Sequence, residues 1–233
     1  MSKILRKSAG LVIVALLASA HQLSAAVIYN NSVNDLNLRF NPGTYQVGNE
    51  INFAGSERFL TNFSFEFWGT NTASPGNVSF AGSVQAEVRF YLNNGPTTNG
   101  FASPGTMFYD SGLFAVSAPT ARSTFVFTAG SDFSIGGLYL PANTITWTVQ
   151  FSGMAGTDSV GLDLYSPATV GSDYGDYWEN QGGGWALRTN SLSSSMDFGS
   201  RFEATVPEPS AITLSILGGF GLFLALGRLR RKQ

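Results

Sequence analysis

The segment Phe59–Trp68, FLTNFSFEFW, indicates the fold of the chain. Two sets of side chains alternate along it: Phe63, Phe65 and Phe67, and Asn62, Ser64 and Glu66. Because successive side chains of a strand point to opposite faces of a sheet, this alternation predicts a strand with one apolar and one polar face. Such strands are typical of antiparallel sheets that pack on a core through one side.

The same alternation recurs along the chain. It is clearest in Val84–Leu92 and Thr144–Phe151, and Gly, Pro and Asn-rich turns separate the runs. Weaker runs are Leu36–Phe40, Met107–Tyr109, Leu113–Val116, Ser123–Thr128, Val160–Tyr165, Trp185–Arg188 and Arg201–Thr205. These short strands predict an all-β domain over 27–205, an antiparallel β-sandwich of jelly-roll type. A closed barrel is the alternative.

Composition excludes several kinds of chemistry. The 233 residues include 13 Lys and Arg, 15 Asp and Glu, one histidine and no cysteine, so disulfides and thiolate metal sites are excluded. The net charge of the chain, −2, gives no basic surface for nucleic acid, so no nucleic-acid partner is predicted; the span 27–206 holds six arginines, fourteen acidic residues and no lysine, a net charge of −8. Since the sole histidine is His21, the span also lacks the base of a catalytic triad. Carboxylate catalysis and all-oxygen metal sites stay open.

The N-terminus has the three parts of a secretion signal. A basic region up to Lys7 leads into an apolar run over 9–20, and small residues follow. The apolar run is too short to span a bilayer. We therefore expect residues 1–26 to be a signal peptide, delivered to the secretion translocon and cleaved between Ala26 and Val27 by signal peptidase. A retained N-terminal anchor is the alternative.

The C-terminal segment 206–233 also has three parts in a fixed order. A Pro-Glu-Pro motif at 207–209 comes first, an uncharged apolar stretch covers 211–227, and a basic tail covers 228–232. The prolines favour an extended backbone, which a processing enzyme can bind. As a helix, the apolar stretch reaches about 25 Å, the short end of a transmembrane helix. The basic tail should stay in the cytoplasm, with the acidic span outside.

This end resembles the PEP-CTERM sorting signal of Gram-negative bacteria through Pro207, Glu208 and Pro209, the apolar stretch and the basic tail. The resemblance implies processing near the motif by exosortase, an integral-membrane cysteine protease and transpeptidase. It also implies an exported protein, anchored transiently in the inner membrane and then located at the cell surface or outside the cell. A plain C-terminal membrane anchor is the alternative.

The middle of the chain resembles ectodomains often found in PEP-CTERM proteins, which implies a sandwich but no known activity. The resemblance rests on Gly55–Phe67, Val88–Tyr91, Phe108–Gly112, Ile145–Val149 and Gly161–Tyr165. We therefore expect a non-enzymatic surface or extracellular-matrix protein, associated with exopolysaccharide or biofilm. A carbohydrate-binding module and a carboxylate-dependent glycoside hydrolase or lyase are the alternatives.

The segment Ser172–Trp185 is the richest in candidate binding residues. Aromatic faces can stack on sugar rings, and carboxylates can accept hydrogen bonds from sugar hydroxyls. The candidate glycan-binding residues are Tyr174, Tyr177, Trp178 and Trp185. The spacing fits no EF-hand, so we expect no cofactor, with Asp173 and Asp176 at most a weak calcium site. The alternative is a loop whose aromatic residues close the end of the sandwich and whose acids are solvated.

Other carboxylates lie on the predicted strands. Glu66 and Glu87 fall on polar faces, where they could form a catalytic pair on a concave surface. Pairing across strands with Arg58 or Arg89 is the alternative. Asp158 and Asp163 flank a short strand, and their odd spacing places them on opposite faces.

Overall fold

The computed structural model describes residues 25–188 and 195–206, which form β-strands, one 3-10 turn at Pro75–Asn77 and no α-helix. The strands are β1 (Ala26–Asn31), β2 (Asp35–Phe40), β3 (Gln46–Asn52), β4 (Phe59–Asn71), β5 (Gln85–Leu92), β6 (Thr97–Thr98), β7 (Phe101–Ala102), β8 (Met107–Ala115), β9 (Thr120–Thr128), β10 (Leu138–Tyr139), β11 (Thr144–Ser152), β12 (Asp158–Tyr165), β13 (Ser172–Asp173), β14 (Tyr177–Asn180), β15 (Trp185–Arg188) and β16 (Ser200–Thr205).

These strands form two large sheets and a small hairpin of β6 and β7. Sheet I has the order β1-β16-β4-β12-β2, and β9 and β10 also pair with β4. Sheet II has the order β15-β14-β3-β11-β5-β8, with β13 beside β3. The ladders of both sheets are antiparallel. This confirms the predicted all-β class with antiparallel sheets, in an arrangement consistent with a β-sandwich.

β4 organises sheet I because it is long enough to pair with several strands. On one edge, β16 pairs with its first half and β12 with its second half. On the other edge, β9 pairs along residues 62–69. The alternating phenylalanines of β4 are therefore surrounded by sheet neighbours on both sides while their rings point to the core.

The core lies between the two sheets and is largely aromatic. Phe63 of β4 contacts Phe90 of β5 edge to face at 5.1 Å and Trp147 of β11 at 5.5 Å, so rings of sheet I meet rings of sheet II. All three side chains are fully buried. Each buried aromatic side chain contributes about 1.5–3 kcal/mol through removal of apolar surface from water, and edge contacts add to this.

The strands predicted from alternation are present, and the two runs from Met107 to Val116 belong to one strand, β8. Alternation did not reveal β3, which is central in sheet II. Its sequence QVGNEIN carries Gly and Asn, which are poor strand formers. Gly48 is required there because a Cβ atom would lie 2.0 Å from the carbonyl oxygen of Trp147.

The alternative of a closed barrel is wrong, because the described strands divide into two sheets whose orders end at edge strands. In sheet II these edges are β8 and β15. The predicted signal helix and C-terminal transmembrane helix fall within 1–24 and 207–233, outside the described residues.

Candidate functional site

The segment singled out in the sequence lies at one edge of sheet II. β14 and β15 form a hairpin, and β14 pairs with β3 so that Trp178 lies opposite Gly48 and Glu179 opposite Val47. Val47 is fully buried in the core. Residues directly opposite each other in neighbouring strands point to the same face, so Glu179, opposite Val47, lies on the inner side of the hairpin. Successive residues of a strand alternate between faces, so Trp178 lies on the outer face of sheet II.

Trp178 is buried even though it belongs to the outer face. It is 1% exposed, and its side chain lies near the Glu50 carboxylate. Burial raises the pKa of Glu50, and the Trp178 side chain lowers it in part. A cavity of about 10 Å³ beside Trp178 is lined by Glu50, Phe101, Tyr174, Asp176, Trp178 and Leu187. This volume suits one water molecule, so the structure places Trp178 in the interior rather than on a surface that can stack on a sugar.

Trp185 and Tyr91 form a half-buried aromatic patch on the same outer face. Their rings meet edge to face at 5.4 Å. Below them, Gln46 donates hydrogen bonds to the hydroxyl of Tyr91 at 3.0 Å and to Oγ1 of Thr148 at 2.8 Å. Thr148 is fully buried and donates to the carbonyl oxygen of Arg89 at 3.1 Å. The aromatic patch therefore rests on a polar layer whose side chains are fixed.

The remaining two aromatic candidates lie in different places. Tyr174 is 39% exposed and packs edge-on against Phe101 at 5.2 Å. Tyr177 points to the inner side of the hairpin, where its ring packs on Phe40 at 5.0 Å and on Phe198 at 5.8 Å. The four candidates thus do not share one surface: Tyr174 and Trp185 are partly accessible on the outer face.

Asp173 lies near a buried carboxylate that sequence reasoning did not single out, Asp197. Tyr29 donates a hydrogen bond to Oδ2 of Asp173 at 2.6 Å. Burial raises the pKa of Asp197 to about 7, and the negative charge of Asp173 adds to the rise. Burial also raises the pKa of Asp173, while the bond from Tyr29 lowers it. Asp197 therefore titrates near neutrality, unlike an exposed aspartate.

The calcium interpretation of this segment rests on Asp173 and Asp176. The Asp173 carboxylate already accepts a hydrogen bond from the Tyr29 hydroxyl. Within 25–188 and 195–206, no group of three or more Asp, Glu, His or Cys side chains is arranged to hold a metal ion. Calcium binding at Asp173 and Asp176 stays a prediction.

Glu66 and Glu87 lie on opposite outer faces of the molecule. Glu66 is on β4 of sheet I, where Thr124 donates its hydroxyl to the carboxylate at 2.9 Å. Glu87 is on β5 of sheet II, where it pairs with Arg89 at 2.5 Å. Because the core separates the two sheets, the hypothesis of a catalytic pair is wrong.

Alternation places both carboxylates on polar faces but does not assign the strands to sheets. The pairing with Arg89 is present, but it runs along β5 rather than across strands.

Asp158 and Asp163 have different local partners. Asp158 accepts hydrogen bonds from the backbone N–H groups of Ala81, Gly82 and Ala155 at 2.8–3.0 Å, which fixes the loop before β5. Asp163 is 2% exposed and forms ion pairs with two arginines, Arg39 at 3.8 Å and Arg122 at 3.7 Å. Both aspartates hold local structure.

The sequence reasoning missed Gln46, Glu50, Tyr91 and Asp197. Tyr91 lies on the polar face of the predicted strand Val84–Leu92, so the alternation alone indicates an aromatic residue that faces solvent. Gln46 and Glu50 belong to β3, which alternation did not detect. No local pattern marks Asp197, because the carboxylates that act on it, Asp173 and Asp176, belong to an earlier part of the chain.

The remaining sequence candidates fall outside the described residues: most of the signal peptide, the motif at 207–209, the stretch 211–227 and the tail 228–232. Ala26 and Val27, the predicted cleavage site, are the first two residues of β1. The described ranges contain no helix whose length and hydrophobicity would let it cross a membrane.

Comparison of the chain with family models, with curated proteins and with solved structures finds no match.

Proposed function

We propose that the chain is an exported, non-enzymatic protein of the cell surface or extracellular matrix, sorted through its C-terminal end by exosortase and associated with exopolysaccharide. The order of three parts in 206–233 carries this proposal: the Pro-Glu-Pro motif, the apolar stretch and the basic tail. The signal-like residues 1–26 support it, because a substrate of a membrane-embedded sorting enzyme must first be exported.

The charges of the β domain support a role without catalysis. The span 27–206 has no histidine, lysine or cysteine. Five of its six arginines form ion pairs with carboxylates: Arg39, Arg89, Arg122, Arg188 and Arg201. The sixth, Arg58, donates to the side chain of Asn143. Each of the six arginines therefore has a structural contact within the domain.

The finer assignment of the sandwich to the jelly-roll type is also a proposal. β3, β4 and β5 belong in turn to sheet II, sheet I and sheet II, and the later strand β11 lies between β3 and β5. Strands that return from a distance to lie between earlier ones are typical of Greek-key connections, of which jelly rolls are built. This crossover supports the jelly-roll assignment.

A second candidate function is polysaccharide binding on the outer face of sheet II. The patch of Trp185 and Tyr91 favours it, because two half-buried rings stand on a fixed layer of hydrogen-bonding side chains. Sites for small ligands combine aromatic surface with a few placed polar groups in this way.

The sorting proposal is tested in a producing cell that carries an exosortase. Mass spectrometry of the mature protein should show a new N-terminus at Val27 and loss of the residues after the motif. A variant with Pro207→Ala and Pro209→Ala should retain its C-terminal residues in the membrane fraction, whereas Pro96→Ala should be processed normally. An intact C-terminus in the wild-type protein would contradict the proposal and indicate a plain anchor.

The polysaccharide proposal is tested by binding of the full chain, purified in mild detergent, to a panel of glycans. Trp185→Ala should weaken binding by about tenfold, a loss typical of a central aromatic contact. Tyr139→Ala is the matched control, because Tyr139 is 56% exposed on β10 of the other sheet. Absence of wild-type binding to every glycan would refute this candidate.

A further inference from the structure

The inner side of the β14–β15 hairpin borders an open groove. The opposite wall is the connection between β2 and β3, residues 41–45, and the volume is about 590 Å³. This lies within the range of small-molecule sites, about 300–1,000 Å³. The residues that matter for its chemistry are Phe40, Tyr45, Tyr177 and Glu179. It is separate from the Trp185 patch, because the hairpin's two faces carry alternate residues.

The wall that carries Tyr45 is held in shape by its own hydrogen bonds. Oδ1 of Asn41 accepts from the N–H of Gly43 at 2.9 Å, and the N–H of Tyr45 donates to the carbonyl oxygen of Pro42 at 3.2 Å. Gly43 has a φ of +61°, a conformation that glycine adopts without strain. The carbonyl oxygen of Thr44 also accepts from Nε2 of Gln150 on sheet II at 3.0 Å. Tyr45, 41% exposed, is therefore presented on a fixed turn.

The floor of the groove is aromatic and also fixed. Tyr177 is half-buried and packs between Phe40 and Phe198, with ring centroids at 5.0 Å and 5.8 Å. Its hydroxyl lies near the Glu179 carboxylate. Burial raises the pKa of Tyr177, and the negative charge of Glu179 adds to the rise, so this hydroxyl keeps its proton as a donor.

An ion pair completes the polar part of the groove. Oε1 of Glu179 accepts from Nε of Arg188 at 2.8 Å, from Nη2 of Arg188 at 2.6 Å and from Nε2 of Gln181 at 2.7 Å. Arg188 remains 44% exposed, whereas Glu179 is 9% exposed. Arg188 is thus an exposed guanidinium paired with Glu179, which lines the groove.

We infer that this groove binds an uncharged pyranose unit of a polysaccharide, an inference that rests on the proposed association of the protein with polysaccharide. The ring of Tyr45 offers a flat apolar surface for the C–H face of the sugar. Glu179 and Arg188 offer an acceptor and donors for its hydroxyls. The ion pair is neutral as a unit, and the net charge of −8 over 27–206 repels an acidic polysaccharide.

The test measures affinity of the full chain in mild detergent for soluble neutral polysaccharides, a glucan, a mannan and a galactan, and for acidic alginate. Tyr45→Ala and Arg188→Gln should each weaken binding to the preferred neutral polysaccharide by about tenfold or more. Tyr139→Ala, an exposed tyrosine on sheet I, is the matched control and should bind like the wild type. Thermal melting of each variant checks that the fold is retained, and Tyr45→Phe, which keeps the flat ring, should restore binding.

The outcomes separate this site from the broader proposal. Loss of binding in Trp185→Ala with full binding in Tyr45→Ala and Arg188→Gln would overturn the groove and retain polysaccharide binding on the outer face. Binding to alginate alone would overturn the neutral ligand. No binding of the wild-type chain to any of the four polysaccharides would overturn the groove, while processing at the C-terminal motif would still support export and sorting.

Discussion

Asp197 couples the stability of the domain to pH. Its pKa in the folded protein is about 7, raised by burial, whereas an unfolded aspartate titrates near about 4. A carboxyl with a raised folded pKa binds protons on folding, so its contribution to stability is full below the unfolded pKa. That contribution is lost as the pH rises through the folded pKa. Asp173 and Asp176, which face Asp197, act in the same direction through their negative charge.

We expect the wild-type protein to lose roughly 2–3 kcal/mol of unfolding free energy through Asp197 between pH 5 and pH 8. Asp197→Asn should remove this part of the dependence, because an amide is neutral throughout, and should be more stable than the wild type at pH 8. Urea unfolding at both pH values measures the difference. Asp132→Asn, at an exposed turn, is the control and should follow the wild type. An equal slope in the Asp197 variant would contradict the prediction.

The burial of Trp178 predicts that its substitution lowers the stability of the domain rather than its affinity for a glycan. Trp178 is 1% exposed and packed in the interior, so Trp178→Ala leaves a cavity in place of a large side chain. We expect a decrease of about 3–5 kcal/mol in unfolding free energy, measured by urea denaturation. Trp185→Ala, at a half-buried position of the same hairpin, should cost less than half as much. Equal losses in both variants would argue against the burial of Trp178.

Residue type and spacing identified the aromatic hairpin but not the role of each ring. Alternation within the hairpin separates Tyr177 and Glu179 from Trp178, and that much is readable in the sequence. Phe101, from the distant hairpin of β6 and β7, lines the cavity beside Trp178. Contacts with distant segments leave no local pattern in the sequence. Alternation along a strand therefore cannot show whether an aromatic residue on an outer face is exposed or buried.

Among the elements, β3 shows how a strand can be central without looking like one. Gly48 lets β3 lie beside β11, and Asn49 is fully buried because its amide binds the segment before β16. Its Nδ2 donates to the carbonyl oxygen of Met196 at 3.0 Å, and its Oδ1 accepts from the N–H of Phe198 at 2.7 Å. Both features oppose ordinary strand propensity, so position in the sheet determines these residues. The phenylalanines of β4 satisfy propensity and position together, which is why that strand was predicted.

Gly48→Ala should therefore destabilise sheet II strongly. The added Cβ would meet the backbone oxygen of Trp147 at 2.0 Å, and backbone cannot rotate away as a side chain can. We expect a loss of at least about 2 kcal/mol in unfolding free energy by urea denaturation. Gly156→Ala is the control, since no atom lies within 4 Å of the new Cβ, and its effect should stay within about 0.5 kcal/mol. A neutral Gly48→Ala would mean that β3 and β11 are spaced differently.

At the scale of the whole molecule, the charge distribution predicts a change on processing. The full chain has an isoelectric point near 5.3, although its span 27–206 carries a net charge of −8. Removal of both basic ends should lower the isoelectric point of the mature protein, because the surviving carboxylates greatly outnumber the arginines. Isoelectric focusing of precursor and secreted protein measures this shift. A mature protein that focuses at or above the precursor would contradict processing at both ends.

The all-β class and its antiparallel sheets could be predicted from the sequence because β4, β5 and β11 each alternate clearly. The grouping of these strands into two sheets could not, since the same alternation fits any sheet with one buried face. Glu66 and Glu87 illustrate the difference: both lie on polar faces, and only the sheet order of β4 and β5 shows that the core separates them.

The pairing of β1 with β16 has a consequence for how the chain is delivered. Ala26 lies opposite Ala204, so the polypeptide enters and leaves the domain at one point. A chain that emerges N-terminus first, from a ribosome or through a membrane pore, cannot form the ladder between β1 and β16 until its last strand arrives. Contacts of such long sequence separation form slowly and leave strand edges open meanwhile. A chain that stops before β16 lacks the strand that joins β1 to β4, so sheet I stays incomplete.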